Sequence, residues 1–337
     1  MGKVLRKVFD CQTQLKLLDK KTFVNIRIAL ARKRKELLQA KSDSMAERDG
    51  HARIKALTDE VHKLMEKEEC MWHQHLRTDW LKFGDQNTKY FHCRAIERNK
   101  RNFITSLENE QGIWVEGEDQ IGNLVTRYYS SLFTMANPTN FAPVLNGVKQ
   151  RVSTEMNDEL LKSFMEDKVK HALKQMDANT TLRPDGLPPL FYKQFWGKIG
   201  KEVSEAVLAI LNSSTILTNL NHTFITLIPK IKCPRKVSDF KPISLSNVLY
   251  KLIAKVLANR LKHLLPKLIS ETQRAFLSER LITDNVLIAH ETRLYLKEKR
   301  TGKMGYMALK LDMRKVYDRV EWVYLEMIME KMSFSPR

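Results

Sequence analysis

No run of about 18 apolar residues, the length a membrane span needs, occurs in this chain of 337 residues. The first ten residues, Met1 to Asp10, lack the apolar core of a secretory leader, so an intracellular protein without membrane contact is expected. Cysteine is scarce: Cys11, Cys70, Cys93 and Cys233 are too few and too far apart to staple a chain this long, which fits a reducing compartment. Twelve glycines and ten prolines exclude collagen-like and proline-rich filaments. Acidic residues are outnumbered, 39 against 58 Lys and Arg, which leaves a formal charge of +19. Such an excess repels itself unless polyanions compensate it, and nucleic acid is the first partner to consider. With 43% apolar residues the chain can still build real cores.

The charge is not one basic tail. Residues 1–50 hold 13 Lys and Arg against 6 acids and residues 251–300 hold 11 against 5, whereas residues 101–150 hold 3 against 5. From Leu15 to Arg77 there is no proline and one glycine, Gly50, and Leu57, Val61 and Leu64 follow helical spacing, which predicts two or three long amphipathic helices. Their stripe reads as a solvated face or a short antiparallel coiled coil, with self-association as one outcome; direct backbone contact with nucleic acid by Arg32, Lys33, Arg34 and Lys35 is the other reading. The segment 79–92 interleaves aromatics and cations around Gly84-Asp85, suited to stacking on a strand or to an interdomain seam. Cys70, His73, His75, His92 and Cys93 cluster, but their intervals fit none of the usual zinc frameworks.

Further on, Asn109 to Gly112 reads as the turn of a hairpin joining 103–107 to 113–115, and Ile121 to Phe133 as a helix. Residues 134–150 are rich in breakers and read as a linker. Helices near 154–177 and 198–213 are expected, then a β-branched run from Phe224 to Ile228 that stops at Pro229. The loop carrying Lys230, Lys232, Arg235, Lys236 and Lys241 has three prolines and is expected to be extended and to touch nucleic acid. Helices from about Asn247 to Lys267 and Asp284 to Lys299 follow, then a strand, Tyr306 to Leu311, that delivers Asp312 before a helical segment from Lys315 to Lys331. A carboxylate at a strand end suits a hard metal ion, and it equally suits a helix cap. Tyr317 and Asp318 read locally as a packed aromatic and a helix-start carboxylate.

The run Ala308-Leu309-Lys310-Leu311-Asp312-Met313-Arg314-Lys315-Val316-Tyr317-Asp318, continued to Trp322, resembles the first catalytic motif of plant non-LTR retrotransposon reverse transcriptases. Ordered upstream blocks carry the resemblance too: 273–285 around Ala275-Phe276, 239–251 with Asp239-Phe240-Lys241-Pro242-Ile243-Ser244, Thr226 to Lys230, Pro184 to Pro188, and Trp80 to His92. It implies an α+β right-hand RNA-directed DNA polymerase: a helical basic connector over 1–133, the linker 134–150, and fingers with an incomplete palm over 151–337. It implies an RNA template, a DNA primer and deoxynucleotide triphosphates as partners, and a nuclear location. By resemblance Asp312 binds two Mg²⁺ ions, the carbonyl of Met313 helps hold the second, and Tyr317 obstructs a 2′-hydroxyl and so selects deoxynucleotides. Arg280 and Lys241 match basic fingers positions near template and nucleotide.

The same resemblance marks departures. The chain has no adjacent Asp pair, where the family has a Phe- or Tyr-Ala-Asp-Asp hairpin, and no endonuclease or thumb part is recognised. Arg274, Glu279, Lys241, Val316 and Arg183 stand where the family has Ser or a small residue, Gly, Arg, Ala and Gly. Glu279 replaces a glycine, which puts in doubt a turn of the kind that glycine serves by taking positive φ. The expectation is a truncated or decayed copy, inactive by itself, with one apolar face around Leu311 exposed; a nucleic-acid-binding remnant without catalysis is the alternative.

Overall fold

The computed structural model describes residues 2–22, 26–43, 50–75, 97, 100–136, 138–178, 186–213, 220–299, 305–313 and 315–336. The segment 79–92, the clustered Cys and His side chains, and Arg183 with Pro184 and Asp185 lie outside the described residues. What is described is rich in helix and carries two small antiparallel sheets. The chain divides into two units, Met1–Glu116 with Val169–Leu252, and Gly117–Lys168 with Ile253–Arg337.

The first unit opens with α1 (Gly2–Thr22), α2 (Ile26–Asp43) and α3 (Gly50–His75). Leu30 and Ala40 on α2 and Leu57 and Val61 on α3 are buried at helical spacing, which pairs these two helices as an antiparallel hairpin. Lys33 ties them: its ammonium sits 2.8 Å from Glu36 and 2.9 Å from Glu60 across the hairpin. Those contacts, Glu36 foremost, raise the Lys33 pKa and lower that of Glu36. The apolar stripe is thus used within the chain. Arg34 and Lys35 face outward.

The expected hairpin forms as β1 (Ser106–Glu108) paired with β2 (Trp114–Glu116), with Leu107 fully buried. Its turn is set by Asn109, whose Oδ1 accepts the N–H groups of Gln111 and Ile113 at 3.0 and 2.9 Å, and by Gly112 at φ +81. In the second unit α4 (Glu118–Phe133) follows, and the predicted linker contains one helical turn, α5 (Ala142–Leu145). The helical stretch after it is two pieces, α6 (Thr154–Leu161) and α7 (Glu166–Gln175). After α8 (Pro189–Gln194), α9 (Trp196–Ser213) buries Gly200, Val203, Ser204, Val207 and Ile210 along one face, as its periodicity demands.

β3 (Thr223–Pro229) pairs with β4 (Phe240–Ser246), Ile228 opposite Lys241. Asn247 then starts α10 (Val248–Lys262): its Oδ1 accepts the Tyr250 N–H at 2.8 Å while its Nδ2 donates to the Leu220 carbonyl at 2.9 Å. The helix expected to run to Lys267 stops at Lys262, and Pro266 sits in the first turn of a separate α11 (Leu265–Leu268). Val152, Leu264 and Leu268 form one core cluster of the second unit, with Met156, Leu160, Met332 and Phe334 among the residues around them. Asn157 fastens the end of the chain, donating to the Ser333 carbonyl at 2.8 Å and accepting from Ser335 at 2.9 Å.

The strand expected at 306–311 does not form: these residues carry no ladder among the described residues, and a strand exists only with a partner for its N–H and C=O groups. Met307, Leu309 and Leu311 are 84%, 70% and 80% exposed. α12 (Ile282–Glu298) likewise buries none of its side chains. The helix expected from Lys315 is broken into α13 (Val316–Arg319) and α14 (Trp322–Lys331).

Glu279 adopts φ +66, the left-handed conformation suited to the glycine that the resemblance places there. An L-residue in this region is strained by about 1 kcal/mol or more. Glu279→Gly is therefore expected to stabilise the chain by about 0.5–1 kcal/mol after the added freedom of the unfolded chain is subtracted. Urea unfolding that leaves the midpoint unmoved or lowers it contradicts this.

Candidate functional site

The hairpin β3–β4 ends in the basic loop, and the fold treats its cations unequally. Lys230 donates from Nζ to the Ser238 carbonyl at 3.0 Å. Arg235 lies 3.3 Å from the Glu108 carboxylate and 5.4 Å from the Trp114 ring centre, while its own carbonyl accepts the Glu108 N–H at 2.7 Å. The loop is therefore pinned to the first hairpin through Arg235. Asp239 braces it from inside, accepting the N–H groups of Arg235 and Lys236, both at 3.0 Å, and those bonds lower its pKa. Lys232, Lys236 and Lys241 remain exposed. This is a rigid loop with cations on its outer side, a form suited to phosphate contact.

In the second unit, Asp312 and Met313 lie in the exposed stretch outside any helix or sheet and Tyr317 on α13; all three are exposed. Lys315 separates them. It takes φ +55, and its ammonium donates to the Tyr128 hydroxyl at 2.7 Å and stands 4.5 Å and 5.5 Å from the ring centres of Tyr128 and Tyr129 on α4. That clamp fixes where the chain turns after Asp312. Nothing in the local sequence marks Lys315, because its partners lie 187 residues away.

Tyr129 is buried, its ring stacks on Phe133, and its hydroxyl has no hydrogen-bond partner among the described residues. Burial, with Tyr128 and Asp318 adding to it, pushes its pKa up to about 12. A raised folded-state value means stability that is complete below the ordinary value of 10.0 and is lost as pH rises through about 12. Tyr129→Phe is expected to be neutral or stabilising by about 1 kcal/mol at neutral pH, since it removes an unsatisfied buried hydroxyl. The variant should also keep more of its stability on the alkaline side, and parallel melting curves for both proteins up to pH 12 would contradict the assignment.

Arg280, expected to face nucleotide or template, is turned into its own loop. Nη1 donates to the Ser270 and Gln273 carbonyls at 2.6 and 2.8 Å, and Nη2 to the Pro266 carbonyl at 3.1 Å. Arg260, which carried no signal in the sequence, does the same for the end of α6, donating to the carbonyls of Leu160, Lys162 and Ser163 and lying over the Phe164 ring. Burial lowers its pKa. Both arginines use the guanidinium fork to satisfy carbonyls that helix and turn leave open.

A two-ion phosphoryl-transfer centre needs carboxylates from at least two places. Among the described residues no three His, Cys, Asp or Glu side chains stand together as a metal site, and the sequence has no adjacent Asp pair. No helix among the described residues is long and apolar enough to cross a membrane.

Residues 228–337 match the family model of the reverse transcriptase (RNA-dependent DNA polymerase). Over 255 residues the chain is 26% identical to a Xenopus laevis protein named Transposon TX1 uncharacterized 149 kDa protein. The aligned region takes in 75% of this chain and 19% of that protein, so the chain spans about a fifth of the length of this relative.

Proposed function

We propose that residues 151–337 are the fingers and first palm segment of a reverse transcriptase of the non-LTR retrotransposon kind, behind a helical connector over 1–133, and that residues 1–337 bind a template–primer without extending it. The observation that carries this reading is the match of residues 228–337 to the reverse transcriptase family, which takes in both the basic loop and the Asp312 to Tyr317 motif. In this reading the exposed Lys232, Lys236 and Lys241 neutralise backbone phosphates, and Tyr317 meets the sugar of an incoming deoxynucleotide. Asp312 supplies one carboxylate of a set that needs a second. A location in the nucleus, where a DNA target would be met, belongs to the same proposal.

Binding without catalysis is favoured by the lack of an adjacent Asp pair in these residues and by Asp312 standing, among the described residues, outside any carboxylate cluster. The test is a labelled RNA–DNA template–primer with the 337-residue chain, followed by fluorescence anisotropy and by a primer-extension assay with Mg²⁺ or Mn²⁺. Binding at low salt with no extended product is expected. Undetectable binding removes the polymerase reading, and extension that disappears in Asp312→Asn removes the inactivity.

A further inference from the structure

We infer that Trp114, on the first hairpin, is a stacking platform for an unpaired base of a single strand whose phosphates lie on the basic loop. This rests on the proposed reading of that loop as a phosphate contact, and adds to it a base contact and a preference for unpaired strand. Register decides where the indole goes. Leu107, fully buried, pairs with Val115, so the alternation of the ladder sets Glu108 opposite Trp114 on the other face of the hairpin. Tryptophan is highly buried on average, yet Trp114 is 48% exposed there.

The ring is open but not loosely placed. Asn109 and Gly112 fix the turn beside it, and the Glu108 N–H donates to the Arg235 carbonyl at 2.7 Å, which ties the hairpin to the loop. Arg235 also puts a cation 5.4 Å from the ring centre, held there by the Glu108 carboxylate at 3.3 Å. Lys236 follows Arg235 directly and Lys232 stands three residues before it, both exposed. A fixed, open aromatic ring next to cations suits a single strand: the ring takes the π-face of a base, and the cations take the phosphates on either side. A paired base suits it less, because it is already stacked and would have to be pulled from its duplex at a cost.

The test is fluorescence anisotropy of the full chain with three labelled probes: an oligothymidylate, a strand of the same length without bases, and a fully paired RNA–DNA hybrid. Trp114→Ala should weaken binding of the oligothymidylate about tenfold. The slope of the log–log salt plot should not move, because an indole displaces no counterion. Trp114→Phe should keep most of the affinity, and neither variant should alter binding of the baseless strand or of the hybrid. The baseless strand separates a lost stack from a damaged hairpin, since damage that shifts the loop weakens every probe alike. Trp114→Ala that binds the oligothymidylate as the native chain does, a loss equal on the strands with and without bases, or Trp114→Phe no better than Trp114→Ala each overturns the inference and leaves the phosphate contacts standing. A native chain that binds none of the three probes at low salt removes the proposed reading itself, and the stacking platform with it.

Discussion

Raising the salt from ~50 to ~200 mM is expected to weaken binding of the chain to an RNA–DNA hybrid about a thousandfold, as for a footprint of about six phosphates. The net charge of +19 supplies the attraction, and the basic loop supplies its most defined part. Each ammonium that displaces a counterion adds about 0.9 to the slope of the log–log salt plot. Lys232 and Lys236 are exposed, so Lys232→Ala and Lys236→Ala should each flatten that slope by about one unit while affecting all sequences alike. Arg235 should behave differently. Its guanidinium already faces Glu108, so Arg235→Ala should change the slope less and instead loosen the loop from β1. Anisotropy titrations at several salt concentrations read all of this. A flat plot, or slopes unchanged in both lysine variants, would show that the loop is not a phosphate contact.

Arg280→Ala should be among the more damaging single changes in the second unit away from its core. Three main-chain carbonyls lose a charged donor at once, at a cost of about 2–3 kcal/mol concentrated in residues 266–281. Arg280→Lys should recover little, because one ammonium cannot span carbonyls that the planar fork reaches from two nitrogens. Hydrogen exchange localises the effect: faster exchange confined to the loop supports the clamp. Unchanged exchange with a selective loss of nucleotide binding would return Arg280 to the contact role that the resemblance implied.

What the sequence made legible was what local chemistry decides. Asn109 and Gly112 fixed a turn whose residues are neighbours, so the hairpin was readable to within three residues. Asn247 likewise announced the start of a helix. The failures share another cause. Whether Tyr306 to Leu311 is a strand depends on a partner and not on its alternation, and the break between α13 and α14 is set by packing on α4 and α5. At the site, the side-chain types were legible but their commitments were not. Lys232 and Arg235 look alike in sequence, and only the fold spends one of them on Glu108. Glu279 is the converse case: a departure from a family pattern located a left-handed turn that composition could not.

The uncovered stretch 305–313 also bears on how long the polypeptide lasts. Proteases grip their substrates as extended backbone and reach into pockets with alternate side chains, a shape that folded elements deny them. Lys310 lies in the middle of a stretch outside any helix or sheet, with its neighbours exposed on both sides. A trypsin-like enzyme is expected to cut there without prior unfolding of either core. Whatever covers the stretch also shields it, and degradation becomes a reading of how much of the chain is uncovered.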